Sequence, residues 1–111
     1  MPLLSISTSI EINEKKLFLR NCSQLVSKLT NKPEKYVMVR LYDQMSIYFN
    51  KDQSPSCFID FKSIGSLNPS QMSKEISIFI SNQLDIHLNR IYICFEDIDP
   101  SNWAWNGKTF G

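Results

Sequence analysis

The chain has 111 residues, 42% of them hydrophobic, which suits one domain with a modest core. Its formal net charge is +1 and no basic run exceeds Lys15-Lys16, so the footprint of a nucleic-acid binder is missing. No apolar stretch approaches a membrane span, and the first apolar residues alternate with Ser and Thr rather than forming a secretory signal. The expectation is therefore a cytoplasmic chain with no nucleic-acid or membrane partner.

Met1-Pro2 leads into an apolar strand over residues 3–8. Aminopeptidases remove Met when a small residue such as proline follows, which leaves a secondary amine at the chain start. Burial would penalise its charged form and lower its pKa, as a general base requires. A Met-Pro start equally serves to protect a terminus or open a loop. Asn13 is placed to cap a helix over about 14–30, whose Phe18, Cys22, Leu25, Val26 and Leu29 form one stripe. Asn31-Lys32-Pro33 ends that helix, because the residue before proline avoids helical geometry. Val37, Val39 and Leu41 then alternate with Met38, Arg40 and Tyr42 as a strand, and a second short strand is expected over Met45 to Phe49.

The pattern restarts at Cys57, with a strand expected to run to Ser66. Asn68-Pro69-Ser70-Gln71 is a helix start, with Pro at the first position and Gln where a capping box places it. The helix over about 69–84 carries Met72, Ile76, Phe79 and Ile80 on one face. In the next strand Ile91, Ile93 and Phe95 alternate with Tyr92, Cys94 and Glu96. At a constant offset of 54, Phe18 matches Met72, Cys22 matches Ile76, Leu25 matches Phe79, and Val26 matches Ile80. Val37, Val39, Leu41 and Asp43 match Ile91, Ile93, Phe95 and Asp97 in the same way. One domain over 1–111 with an internal repeat (2–50 and 56–104) follows. Its class is α+β: duplicated β-α-β units make a four-stranded sheet with two helices on one face. The other face would carry Leu3, Met38, Phe58, Tyr92 and Cys94, too apolar to be left wet, so a cyclic oligomer is expected.

Three separated cysteines (Cys22, Cys57, Cys94) suit a reduced compartment, and no pair has metal-site spacing. The single His87 reads as a surface turn residue.

These residues resemble the family of macrophage migration inhibitory factor and D-dopachrome tautomerase, within the tautomerase superfamily. The resemblance spans essentially the whole chain. It rests on Met1-Pro2, Asn31-Lys32-Pro33 with Tyr36, Ser63-Ile64-Gly65, Arg90-Ile91-Tyr92-Ile93, Trp105-Asn106 and Thr109-Phe110. It implies a homotrimer with a pocket at each subunit interface. It further implies a keto–enol tautomerase of phenylpyruvate-like aromatic α-keto acids, an isomerase that uses no cofactor. Pro2 would be the catalytic base. Lys32 and the Ile64 N–H would bind the substrate carboxylate. Tyr92 would enter the neighbouring subunit's pocket, and Leu3, Tyr36, Trp103, Trp105 and Phe110 would wall it. Taken by itself Lys32 is also a solvated cation at a helix C-terminus, Ile64 a strand-end core residue, and the aromatics interface packing.

The alternative is a cytokine-like binding protein that engages a receptor and keeps the pocket for structure. Three positions depart from the family pattern. A Cys-x-x-Cys pair is replaced by Ser56 and Ile59, which gives no support to thiol-disulfide oxidoreductase activity. Cys94 stands in place of a pocket asparagine, and Trp103 in place of a small residue.

Overall fold

The computed structural model describes every residue from Met1 to Gly111. Its first unit is β1 (Pro2–Thr8), α1 (Lys15–Thr30) and β2 (Met38–Tyr42); the second is β3 (Cys57–Ser63), α2 (Pro69–Leu84) and β4 (Ile91–Asp97). A hairpin of β5 (Ala104–Trp105) and β6 (Lys108–Thr109) closes the chain. Within each unit the strands run parallel, and the two units join through antiparallel β1 and β3, giving the order β2-β1-β3-β4.

The repeat extends to the element boundaries. Lys15 and Pro69 begin the helices, Asn31 and Asp85 cap them in the left-handed region, and Glu34 and Leu88 begin single 3₁₀ turns, each pair 54 apart. The first strands, Pro2 and Cys57, start 55 apart, so the first unit holds one more residue between the start of its strand and the start of its helix. Asp43 and Asp97 also do equivalent work. Asp43 accepts a hydrogen bond from the Ile12 N–H (3.1 Å), and Asp97 accepts one from the Gly65 N–H (2.9 Å). Each aspartate thus fastens the end of its unit's last strand to the loop leading into its helix.

Both helices pack on one face. Phe18, Cys22 and Val26 of α1 and Met72, Ile76 and Ile80 of α2 form one buried cluster with Leu4, Ile6, Ile59 and Phe61 of the central strands. Each such side chain stabilises the fold by roughly 1.5–3 kcal/mol relative to exposure. Burial pushes the Cys22 and Cys57 thiols up to about 12, with the neighbouring Cys57 adding to the effect on Cys22. The opposite face is open: Met38 is 60% exposed, Tyr92 58%, and Cys94 is exposed too.

Four local expectations need correction. Met45–Phe49 forms no strand; Phe49 makes only an isolated bridge to Asp52. Gln44 has a positive φ of 56° and turns the chain, so that the Gln44 and Met45 N–H groups donate to Ile10 and Thr8. The alternation there is satisfied by side chains, since Ile47 and Phe49 lie with Phe58 and Tyr92 at one end of the open face. Helix α1 is capped by Glu14 rather than Asn13. The third strand stops at Ser63 because Gly65 and Ser66 both take positive φ. Asn68 caps α2, with Pro69 in the first turn, but makes no side-chain cap bond. His87 is an exposed turn residue whose Nδ1 accepts from the Asn89 N–H.

Candidate active site

Pro2, which begins β1, pairs with Ser63, which ends β3, and Leu3 pairs with both Met38 and Lys62. Proline is tolerated as the first residue of a strand because no ladder donor is required there. Above this end of the sheet lies a cleft of about 470 Å³. Met1, Pro2 and Leu3 form its floor, Tyr36, Val37 and Met38 one wall, and Trp103, Trp105 and Phe110 another.

The wall residues are held by local geometry. Pro33 leads into the 3₁₀ turn Glu34–Tyr36, which presents the Tyr36 ring edge-on to Trp105 at 6.2 Å. On the other side the Asp99 carboxylate accepts from the Ser101 N–H and hydroxyl, shaping the turn before Trp103. The Phe110 N–H then donates to the Trp103 carbonyl at 3.0 Å. Asn106 (φ 53°) and Gly107 (φ 80°) form the two-residue turn of the β5–β6 hairpin, both in the left-handed region that such tight hairpins demand. At the very end, a Cβ on Gly111 would meet the Ser101 backbone nitrogen at 2.9 Å, so the tail lies close against that turn.

In the chain as it stands Pro2 nitrogen is an amide, and the free amine belongs to Met1. Burial first and the Lys32 charge second hold that amine below its ordinary value of 8.0. Lys32 is half-buried; it follows the left-handed cap Asn31, and its carbonyl accepts from the Ser27 hydroxyl at 2.6 Å. Beside Pro2, the fully buried Ser63 hydroxyl has no hydrogen-bond partner.

Of the residues singled out in the sequence, Pro2, Leu3, Tyr36, Trp103, Trp105 and Phe110 converge on this cleft, and Lys32 acts on its amine. Ile64 lines an adjoining cleft with Asp97, Asp99 and Pro100, and Ile98 borders both. Tyr92 lies elsewhere. It pairs with Phe58, five residues along β3 from Ser63, or roughly 17 Å at strand spacing. Its ring packs on Phe49 at 4.8 Å. Within one chain Tyr92 therefore cannot reach the Pro2 cleft. Sequence reasoning did not single out Lys35 and Lys62, which also line the cleft. Lys62 was signalled by its alternation with Phe61, which puts it on the face of Leu3.

The sequence profile described as "Macrophage migration inhibitory factor (MIF)" matches residues 1–111. The chain belongs to the MIF family. A MIF homolog from Brugia malayi is 34% identical, with both chains covered in full, and the MIF of Xenopus tropicalis is 29% identical over 99% of each. Among solved structures, a MIF homologue from Prochlorococcus marinus is 35% identical with a TM-score of 0.94, covering 98% of this chain and 99% of its own. The Trichinella spiralis MIF structure gives 0.89 at 29% identity over 97% and 99%. The duplicated β-α-β fold read from the repeated pattern, and the MIF-like fold that the resemblance implied, are thus the observed one.

Proposed function

We propose that the chain, once Met1 is removed, is a keto–enol tautomerase acting on phenylpyruvate-like α-keto acids, with Pro2 as its base. The observation that carries this reading is the chain terminus on the floor of an apolar cleft, where burial and Lys32 lower the amine's pKa. A freed Pro2 amine would inherit that environment, and a base poised near working pH is what proton transfer from carbon needs. Pro2 nitrogen takes a proton from the carbon next to the keto group. The electron pair of the broken C–H bond moves to form the C=C bond, and the carbonyl oxygen gains the charge. Protonated Pro2 then delivers that same proton to the oxygen, which gives the enol and regenerates the free amine. Lys32 and the Ile64 N–H hold the substrate carboxylate, while Leu3, Tyr36, Trp103, Trp105 and Phe110 surround the ring and exclude water.

The same reading makes the protein a homotrimer. The exposed Met38, Phe58 and Tyr92 supply an apolar face for neighbouring copies, and assembly is the route by which Tyr92 enters another subunit's cleft. A stable monomer by light scattering would remove that part of the proposal. The catalytic part is tested by assaying phenylpyruvate tautomerisation on protein whose N-terminus is fixed by mass spectrometry. Processed protein is expected to be active and Met1-retaining protein nearly inactive, because an acylated proline nitrogen has no basic lone pair. Equal activity in both forms would exclude Pro2 as the base.

A further inference from the structure

The charges around the cleft are one-sided. Lys35 and Lys62 line it, Lys32 acts on the amine at its floor, and no Asp or Glu is among its lining residues. Lys35 is exposed, its ammonium 5.1 Å from the centre of the Tyr36 ring, and neither it nor Lys32 makes an ion pair. Lys62, beside Leu3, has only a long contact of 4.0 Å to Glu96, which is outside the cleft. Tyr36, Trp103, Trp105 and Phe110 share the lining with these two lysines. The cleft is thus apolar, with two cations on its lining and no anion.

One carboxylate of a simple α-keto acid accounts for Lys32 and leaves Lys35 and Lys62 unanswered. We propose that the substrate carries a second anionic group, a carboxylate separated from the keto acid by an apolar or aromatic spacer, and that Lys35 and Lys62 select it. This rests on the tautomerase reading and narrows its substrate class. Partly exposed pairs with a flexible ammonium each contribute modestly, so roughly three- to fivefold in affinity is expected from each lysine. The preference weakens as salt screens the two lysines.

The test compares phenylpyruvate with 4-carboxyphenylpyruvate on processed protein, by calorimetric binding and by turnover. The dianionic probe is expected to bind about tenfold more tightly at low ionic strength. Lys35→Met and Lys62→Met should each remove part of that preference, while Lys35→Arg retains it. Light scattering checks that the variants keep their assembly; should Lys62→Met alter it, Lys35→Met and Lys35→Arg decide. Equal binding of the two probes, no binding of either, or a preference undiminished in Lys35→Met overturns the proposal. The two readings fail separately. Lysine-dependent binding without turnover sinks the tautomerase and leaves the second-anion site standing, whereas turnover of phenylpyruvate with no probe preference does the reverse.

Discussion

The two β-α-β units trace the same path and put it to different uses. After each helix a left-handed cap leads into a 3₁₀ turn and then a parallel strand. In the first unit the residues on this connection are Lys32 and Tyr36, which serve the cleft. Their counterparts 54 residues on are Ile86 and Arg90. Ile86 is buried in the core. Arg90 clamps the 49–55 loop, donating to the carbonyls of Phe49, Ser54 and Pro55 and pairing with Asp52 at 3.0 Å. One backbone geometry carries the proposed chemistry in one half and stability in the other. The difference arises from position: the first connection ends beside the free start of β1, whereas the second ends where β3 is already covered by the preceding loop.

The sharpest way to break this division is at Pro2. Pro2→Gly, or any extension of the N-terminus, should lower turnover of an α-keto acid by about 10²–10⁴, the usual contribution of a positioned base. Thermal unfolding should change little, and a comparable fall in melting temperature would show that the first unit is not specialised as described. Next comes the equivalent pair. Ile86→Ala should cost about 2–5 kcal/mol in urea unfolding, because the vacated core site collapses only partly. Lys32→Ala should leave unfolding unchanged and raise KM more than it lowers kcat, if, as proposed, it holds a carboxylate present in both ground and transition states. Loss confined to kcat would place Lys32 on the base instead.

Arg90→Ala is expected to destabilise by roughly 1–3 kcal/mol, by leaving three loop carbonyls without their donor. Hydrogen exchange should rise first in residues 49–55. The smallest effect is at Asp43, whose carboxyl is held below its ordinary 3.8 mainly by the Ile12 N–H, with Lys15 adding to it. A depressed folded pKa gives stability that is whole above the ordinary value and is lost as pH falls through the lower folded one. Wild type and Asp43→Asn should therefore differ near neutrality and converge as pH drops below 3.8. A constant difference down to acid pH would mean the charge is not what matters.

Most of the fold was legible because apolar spacing reports burial directly. The stripe of Phe18, Cys22 and Val26 and its copy at Met72, Ile76 and Ile80 had to face one sheet, and Tyr92 had to face away from Ile91 and Ile93. What escaped depends on contacts distant in sequence. Met45–Phe49 alternates like a strand, yet its partners are the rings of Phe58 and Tyr92, not a backbone edge. The β5–β6 hairpin was signalled by Asn106-Gly107 and passed over among aromatic anchors. Lys35 and Lys62 look like ordinary solvated lysines until β1 lies between β2 and β3, where Leu3 faces both Met38 and Lys62. The wall residues of the site were found through resemblance, since no spacing rule brings residue 36 beside residue 105.

The cysteines carry a practical consequence. Two thiols pushed up to about 12 and sealed inside are inert towards alkylating reagents, whereas Cys94 lies in the open. A single folded chain, without its neighbours, should thus take up one label quickly and two more only when it opens throughout. The slow labels would time whole-molecule unfolding without added dye or tag. The fast one, on the edge strand β4 of the uncovered sheet face, would report whether other copies shield that face in solution.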